Sequence, residues 1–178
     1  MPEVMAPPLS PREPGIPDQP QWYAAYTCAR HEKQVRRQLE EREIHCFLPL
    51  YRSVRRWKDR QKELKLALFP GYVFVHIGPK DRLRVLQTPS VVRFVCVKGH
   101  PAVLANSEIE SLQSGLANAV HLEPHPYLKV GCKARVKYGP LAGTEGILVR
   151  KKDRLRVVLS IDLIMRSVAV EVDAEDLE

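Results

Sequence analysis

The sequence has few cysteines, and they form no recognisable arrangement. None belongs to a CxxC pair or has a histidine at zinc-finger spacing; the four are Cys28, Cys46, Cys96 and Cys132. Scattered single cysteines are typical of reduced thiols in a cytosolic protein. We therefore expect neither a zinc site nor a disulfide-stabilised secreted fold, and the sequence calls for no cofactor.

Long apolar runs are also missing. No segment approaches the roughly twenty apolar residues that span a bilayer. The proline-rich start of the chain lacks the basic-then-apolar order of a secretion signal. We therefore expect a cytoplasmic protein with no membrane association.

Motifs that carry catalysis are absent as well. There is no GxSxG, no P-loop and no pair of carboxylates in an apolar setting. Cys28 lies close to Arg30 and His31, a setting that can activate a thiol, but a structural cysteine at a strand end is the simpler interpretation. Nothing in the sequence argues for an enzyme, so we expect a binding protein.

What the sequence does contain is positive charge, concentrated in one segment. The net charge of +7 and the pI of 9.4 favour a polyanionic partner such as nucleic acid. Seven of the 28 lysines and arginines lie in residues 52–65, with only two of the 21 acidic residues. A run of charge is more often a solvated face, and both interpretations of this segment stay open.

Changes in composition divide the chain into four parts. Residues 1–20 hold seven prolines and few large apolar side chains, which predicts a disordered or polyproline-like tail. Residues 21–118 carry both helical and strand patterns. Residues 119–128 have two prolines and no periodicity, which predicts a linker. Residues 129–178 contain only short strand patterns separated by turns, which predicts a small closed β-barrel.

The pattern of residues 21–118 is strand, helix, strand, strand, helix, strand, the order of a split βαβ sandwich with an extra helix at its end. The fold class is therefore α+β. In the first helix, residues 31–43, Glu32 and Arg36 are spaced for an i,i+4 pair. At the start of the last helix, Ser107 and Glu110 are spaced for a capping box.

The stretch LFPGYVFVHI, residues 68–77, follows the basic segment and holds three aromatic residues. In a half-buried strand Tyr72 and Phe74 point to the same face, and Phe69 lies just ahead of them. Val73 and Val75 should face the other side, against the helices. An aromatic groove suits a partner helix. The alternative is that these side chains are core, and we expect at least one to be.

A third stretch, VKYGPLAGTEGILV at residues 136–149, resembles the KOW motif, and its Gly146 would permit two strands to approach closely. WYAAYT, FPGYVFV and GPLAG, in this order and spacing, resemble the NusG family over residues 21–178. The resemblance implies an NGN-type N-terminal αβ domain, a flexible linker and a KOW β-barrel. It also implies a monomeric transcription elongation factor that modulates pausing and termination, rather than an enzyme.

In that family the N-terminal domain grips the clamp helices of the largest RNA polymerase subunit. The matching positions here are Tyr26, Phe69, Pro70, Tyr72 and Phe74. The basic segment would then lie beside the DNA near the transcription bubble, where its cations can contact phosphates. Those cations are Arg52, Arg55, Arg56, Lys58, Arg60, Lys62 and Lys65, and Trp57 among them can stack on a base or pack on its own sheet.

Two stretches resemble the specialised paralogues of the family, of which RfaH is the best-known type. One is YTCARHEKQVRRQLEEREIHCFLPL; the other is SIDLIMRSVAVEV, in place of the housekeeping SIFGR-type turn. Its apolar tip, Leu163, Ile164 and Met165, is interpreted as a partner site or a folded-back plug. Of the DNA-reading positions in such paralogues, only Thr88 matches. The KOW partners that the family implies are a ribosomal protein or Rho, and a ribosome-associated protein binding rRNA is the alternative function.

Overall fold

The computed structural model describes residues 19–57, 60–118, 121–127, 131–151 and 154–177. It has the mixed α+β architecture that the sequence predicts, with few helices and many strands. The elements of the N-terminal domain are β1 (Gln21–Thr27), α1 (Glu32–Glu41), β2 (Cys46–Phe47), β3 (Leu50–Trp57), β4 (Arg60–Ala67), β5 (Tyr72–Ile77), α2 (Arg82–Leu86), β6 (Val91–Phe94), β7 (Cys96–Val97), β8 (His100–Pro101), β9 (Val103–Leu104) and α3 (Asn106–Ala117).

The central sheet of this domain has the order β2-β5-β1-β6, and β9 also pairs with β1. Because side chains alternate along a strand, one face of the sheet carries Tyr23, Val73 and Val75, which pack with Val35 and Leu39 of α1. This confirms that the two valines of β5 face the helices. The opposite face carries Trp22, Ala24, Tyr26, Tyr72 and Phe74.

The basic segment forms a two-stranded hairpin outside the central sheet. Strands β3 and β4 pair antiparallel from Leu50 opposite Ala67 to Trp57 opposite Arg60. Residues 58 and 59 lie outside the described residues. Of its basic side chains, Arg52, Lys62 and Lys65 are described, and all three are exposed.

Two local predictions at helix starts are wrong. Arg36 pairs with Glu40 at 2.7 Å, not with Glu32, whose side chain is buried. Helix α3 begins at Asn106, so its capping glutamate is Glu108, which accepts a hydrogen bond from the backbone N–H of Ala105 at 3.3 Å. The helix starts before Ser107, and this displaces the capping box from the predicted pair.

The strands of the C-terminal part are β10 (Leu122–His125), β11 (Cys132–Arg135), β12 (Glu145–Lys151), β13 (Arg154–Ile161) and β14 (Arg166–Val172). They form a five-stranded antiparallel sheet of order β10-β14-β13-β12-β11, which we call the barrel domain. The isolated bridge between Val136 and Leu177 ties the end of the chain back to the residue after β11. A Cβ on Gly146 would lie 2.6 Å from the carbonyl oxygen of Val158, which confirms the predicted close approach of two strands.

Strand β10 lies inside the segment that its prolines predict to be a linker. Pro124 stands opposite Val168 in the ladder with β14, and an edge strand tolerates proline. Leu122 packs into the core, and Glu123 is held by Arg156 at 2.6 Å. Four of the ten residues of the expected linker thus form a strand of the barrel domain.

The two domains are docked through α3. A single apolar cluster contains Phe69 and Leu112 of the N-terminal domain together with Leu159 and Val168 of the barrel domain. The hydroxyl of Ser114 donates to the carbonyl oxygen of Pro140 at 2.6 Å, and the hydroxyls of Ser111 and Thr144 are 3.1 Å apart. A Cβ on Gly115 would lie 3.3 Å from Leu141, so the absence of a side chain lets the barrel loop approach the helix.

Candidate functional site

The FPGY turn that precedes β5 is fixed from two sides. Gly71 has φ +83, the left-handed region that favours glycine, and it is buried. Its N–H donates to a carboxylate oxygen of Glu32 at 2.7 Å, and its carbonyl accepts from the N–H of Thr27 at 2.8 Å. A Cβ at this position would lie 3.3 Å from the ring of Tyr26. The turn is therefore anchored to the start of α1 and the end of β1.

An exposed row of three side chains crosses the sheet next to this turn. Tyr26 of β1 stands opposite Tyr72 of β5 on one side and Arg93 of β6 on the other. The two tyrosine rings have centroids 5.4 Å apart, and the guanidinium carbon of Arg93 lies 5.9 Å from the Tyr26 centroid. We call these residues the Tyr-Tyr-Arg row. Tyr26 is 39% exposed and Tyr72 is half-buried, so the row presents a polar-edged aromatic surface.

Phe69 and Phe74 do not share that exposed surface, and the predicted groove of four aromatics is corrected on this point. Their rings pack edge to face with centroids 5.6 Å apart, and their exposed fractions are 1% and 0%. Phe74 also stacks on Phe47. That at least one aromatic belongs to the core is confirmed, since two do. Pro70, in the turn itself, is exposed.

The cover over Phe69 comes from the barrel domain and α3. An interdomain cavity of about 610 Å³ is lined by Phe69, by Ser111 of α3 and by Leu159, Ile161 and Val168 of the barrel domain. Phe69 thus lies at the domain interface, while the Tyr-Tyr-Arg row lies where the surface remains open.

Glu108 lines the same cavity. Burial raises the pKa of its carboxyl above the ordinary value, the hydrogen bond from the N–H of Ala105 opposes that rise, and the negative charge of Asp162 in the barrel domain adds to it. The domain interface therefore holds two acidic groups that repel each other when both are ionised.

The basic hairpin carries exposed cations that ion pairing only partly neutralises. The side chains of Arg52, Lys62 and Lys65 are exposed, and Arg52 lies 3.3 Å from the carboxylate of Glu63. Arg52 and Lys65 are directly opposite in the ladder, an arrangement of like charges that destabilises a strand pair. The backbone of the remaining predicted cations Arg55, Arg56 and Arg60 belongs to the two strands, and Lys58 lies outside the described residues.

Two other sets of predicted residues need correction. Thr88 is 2% exposed, and its hydroxyl donates to the carbonyl oxygen of Arg84 at 3.0 Å, so it caps the end of α2 rather than facing a ligand. The predicted apolar tip is mostly turned inward. Ile164 is buried and Leu163 packs against the shared cluster, because residues 162–164 form a 3-10 turn; Met165 is exposed.

Sequence reasoning missed two residues of this region. The i,i+4 spacing assigns Glu32 to Arg36, although its real partner, Gly71, is 39 positions away. Arg93 lies in a short strand with no motif, and only the register of β1 and β6 brings it to Tyr26. Within the described ranges, no group of three or more histidine, cysteine or acidic side chains is suited to hold a metal ion, and no helix is long and apolar enough to cross a membrane.

Comparison with known proteins shows the family of the chain. The family model described as "NusG: Transcription termination factor nusG" matches residues 20–113. The transcription termination/antitermination protein NusG of Staphylococcus carnosus is 29% identical over 175 residues, which cover 88% of this chain and 94% of that protein. NusG of Lactococcus lactis is 28% identical over 172 residues, covering 88% and 91%.

Among solved structures, one described as "Domain interaction in Thermotoga maritima NusG" is similar, with a TM-score of 0.56 and 21% identity, covering 90% of this chain and 97% of that one. At this identity the likeness shows the fold alone. The family match covers more than half of the chain, and the relatives match along nearly all of their length. The chain therefore belongs to the NusG family.

Proposed function

We propose that this protein is a transcription elongation factor that binds RNA polymerase through the sheet face carrying Tyr26 and Tyr72. The relatives are named transcription termination/antitermination proteins, which supports a role in elongation and termination. The single observation that carries the proposed contact is the Tyr-Tyr-Arg row, an exposed aromatic surface beside a rigid turn. Exposed aromatics held on rigid strands are efficient anchors for a protein partner, since few rotamers are lost on binding.

The partner at this surface is the pair of clamp helices of the largest polymerase subunit. Binding there tethers the factor across the DNA channel and favours the closed clamp, which reduces pausing and termination by shifting populations of conformations. Phe69 and Phe74 complete the apolar surface only when the barrel domain leaves it. The docked arrangement is thus the resting form, and release of the barrel domain precedes full binding.

The basic hairpin contacts nucleic acid near the transcription bubble. Its support is the opposition of Arg52 and Lys65, because like charges held face to face cost stability and are relieved by an anionic ligand. Contact with phosphates gives affinity that depends on salt and not on base sequence. Lys62 is exposed and can take part in the same contact.

The barrel domain recruits a second partner, a ribosomal protein or Rho, and the chain is a specialised member of the family. The support is the changed tip, in which Met165 is 64% exposed at a left-handed position while Leu163 and Ile164 turn inward. Release from α3 would free the loop of residues 139–144 together with this tip.

The test is comigration of the purified protein with RNA polymerase elongation complexes. Tyr26→Ala combined with Tyr72→Ala should weaken binding tenfold or more, on the order expected when a central aromatic anchor is lost. Tyr138→Ala is the matched control, because Tyr138 is 65% exposed on the barrel domain and should leave binding unchanged.

Unchanged binding by a double variant that folds, as judged by circular dichroism, would reject this sheet face as the polymerase site. No binding of the wild type to polymerase, with cosedimentation on ribosomes instead, would reject the elongation-factor function. The rRNA-binding alternative would then take its place.

A further inference from the structure

The Tyr-Tyr-Arg row has aromatic side chains at one end and a positive charge at the other. Tyr72, Tyr26 and Arg93 occupy register-matched positions on three neighbouring strands, with the cation at one end. Phe94, the next residue, is buried in the core against α1 and α2, so Arg93 points to the open face with the tyrosines. The row is therefore apolar at one end and positively charged at the other.

Arg93 keeps its charge available. It is exposed and forms no ion pair with any described residue, while its guanidinium lies against the Tyr26 ring at 5.9 Å. A cation-π contact at this distance keeps the guanidinium beside the ring, and its N–H donors form no ion pair with a described residue. An arginine held in this way is prepared for a bidentate contact with a carboxylate.

The spacing of the row matches a helix lying across the strands. Neighbouring strands are about 4.8 Å apart, and one helical turn rises about 5.4 Å. A helix that crosses β1 and β6 thus places two side chains, one turn apart, over Tyr26 and Arg93. An extended peptide presents same-face residues about 6.6 Å apart, which fits this row less well.

We propose that Arg93 makes this surface selective for a helix that carries an acidic residue one turn, three or four positions, from the apolar residue seated on the tyrosines. This inference rests on the proposed function, because it specifies the partner helix at the same site. The charge sets the register and direction of the helix, while the tyrosines supply the apolar contact.

The experiment measures binding of the full-length protein to core RNA polymerase without nucleic acid, so that phosphates cannot supply the negative charge. Three variants are compared with the wild type over a salt titration. Arg93→Glu reverses the charge; Arg93→Met keeps an unbranched stem over the Tyr26 ring and removes the charge. Lys98→Glu is the matched control, since Lys98 is an exposed cation on the turn between β7 and β8 and also changes the net charge by two.

We expect Arg93→Glu to raise Kd about tenfold or more, Arg93→Met to raise it about threefold to tenfold, and Lys98→Glu to change it less than twofold, as for a charge pair against a distant surface charge. Salt should weaken binding of the wild type more than that of Arg93→Met. Thermal melts should be the same for all variants.

Wild-type affinity in Arg93→Glu, with binding still lost in the tyrosine double variant, would overturn this inference and leave the proposed function intact. Equal losses in Arg93→Met and Arg93→Glu, with lowered melting temperatures, would show a packing role and also overturn it. The same variants are also measured on elongation complexes, which contain nucleic acid; loss of affinity in Arg93→Glu there, with wild-type affinity for core polymerase, would assign the charge to phosphate and reject the acidic helix.

Discussion

The carboxylate of Glu32 accepts a hydrogen bond from the backbone N–H of Gly71 at 2.7 Å, joining the first turn of α1 to the turn that precedes β5. Glu32 is 7% exposed, so this is a charge-assisted bond in a buried setting. The bond holds the turn against the end of β1, beside Tyr26. Glu32, which is distant from Gly71 in the sequence, thus helps to fix the position of the turn beside the aromatic surface.

Replacing Glu32 with alanine should lower both stability and partner binding. Loss of the acceptor leaves the N–H of Gly71 buried without a partner, which costs about 1–3 kcal/mol of unfolding free energy. Glu32→Gln, which keeps an oxygen acceptor, should lose less than half as much. Urea denaturation of the three proteins measures the difference.

The control for this prediction is Glu40→Ala, which removes an exposed ion pair with Arg36 and should cost less than about 1 kcal/mol. Equal stabilities of Glu32→Ala and Glu40→Ala would show that the buried hydrogen bond does not hold the turn.

Gly146→Ala should destabilise the barrel domain selectively. The new methyl group would collide with the side chain of Val157 and lie 2.6 Å from the carbonyl oxygen of Val158, where backbone cannot yield easily. Overpacking of this kind costs about 1–3 kcal/mol. Hydrogen exchange should show faster opening of β12 and β13, with unchanged protection of β1 and β5. The control is Gly143→Ala, whose Cβ meets no atom within 4 Å but whose φ of +83 disfavours alanine, so its cost comes from the backbone alone.

Arg156→Ala should lower the free energy of unfolding by about 1.5–3 kcal/mol, because it removes charge-assisted hydrogen bonds to two partly exposed carboxylates. Arg156 donates to Glu123 and to Glu171, both at 2.6 Å. The hydrogen bond from Arg156, followed by that from His121, lowers the pKa of Glu123 below 4.5. This stabilisation is complete above the ordinary pKa and is lost as the pH falls through the lowered one.

Measuring the free energy of unfolding as the pH is lowered therefore distinguishes the wild type from Arg156→Ala. The wild type should lose this contribution below pH 4.5, and the variant should show a shallower decline over the same range. Arg166→Ala, at an exposed position, should change stability by less than about 0.5 kcal/mol. Parallel acid profiles of wild type and Arg156→Ala would contradict the assignment.

Glu108→Gln should stabilise the docked form at neutral pH. Burial and Asp162 raise the pKa of Glu108 above 4.5, so its contribution to stability is complete below that value and is lost as the pH rises through the raised pKa. Glutamine keeps an oxygen for the N–H of Ala105 and carries no charge. The wild type should gain domain docking on acidification, and the variant should gain less.

Fluorescence energy transfer between labels on the two domains measures this docking as a function of pH. Glu110→Gln, at an exposed position of the same helix, is the control and should follow the wild type. A Glu108→Gln profile that coincides with the wild type would show that this carboxyl does not couple to docking.

The sequence predicts a structural feature well when residues close by in the chain determine it, and poorly when distant residues do. The alternation of β5 correctly places Val73 and Val75 against α1, because the period of a strand is a local property. The role of Gly146 is likewise predictable, since a glycine within a strand pattern indicates that another backbone approaches closely. The burial of Phe69 depends on the barrel domain, which begins at Leu122, more than fifty residues further along the chain, and no local pattern contains it.

The same reasoning explains the other differences. The prolines around Pro124 predict a linker, but an edge strand tolerates proline because the N–H groups on its outer side form no hydrogen bonds to a neighbouring strand. The apolar run that contains Leu163 and Ile164 predicts an exposed tip, but both side chains pack in the apolar cluster shared by the two domains. Arg93 requires the pairing of β1 with β6 to be known before it can be placed beside Tyr26.

The most direct test of the central claim is to lock the barrel domain onto α3 and measure polymerase binding. Ser111→Cys with Thr144→Cys replaces two hydroxyls that are 3.1 Å apart, in a background in which the exposed Cys28, Cys96 and Cys132 are serine. The oxidised protein should bind elongation complexes at least tenfold more weakly than the reduced protein, and reductant should restore binding. The single variant Ser111→Cys should respond to neither treatment. Equal binding by the oxidised and reduced double variant would contradict the claim that the docked barrel domain covers part of the polymerase site.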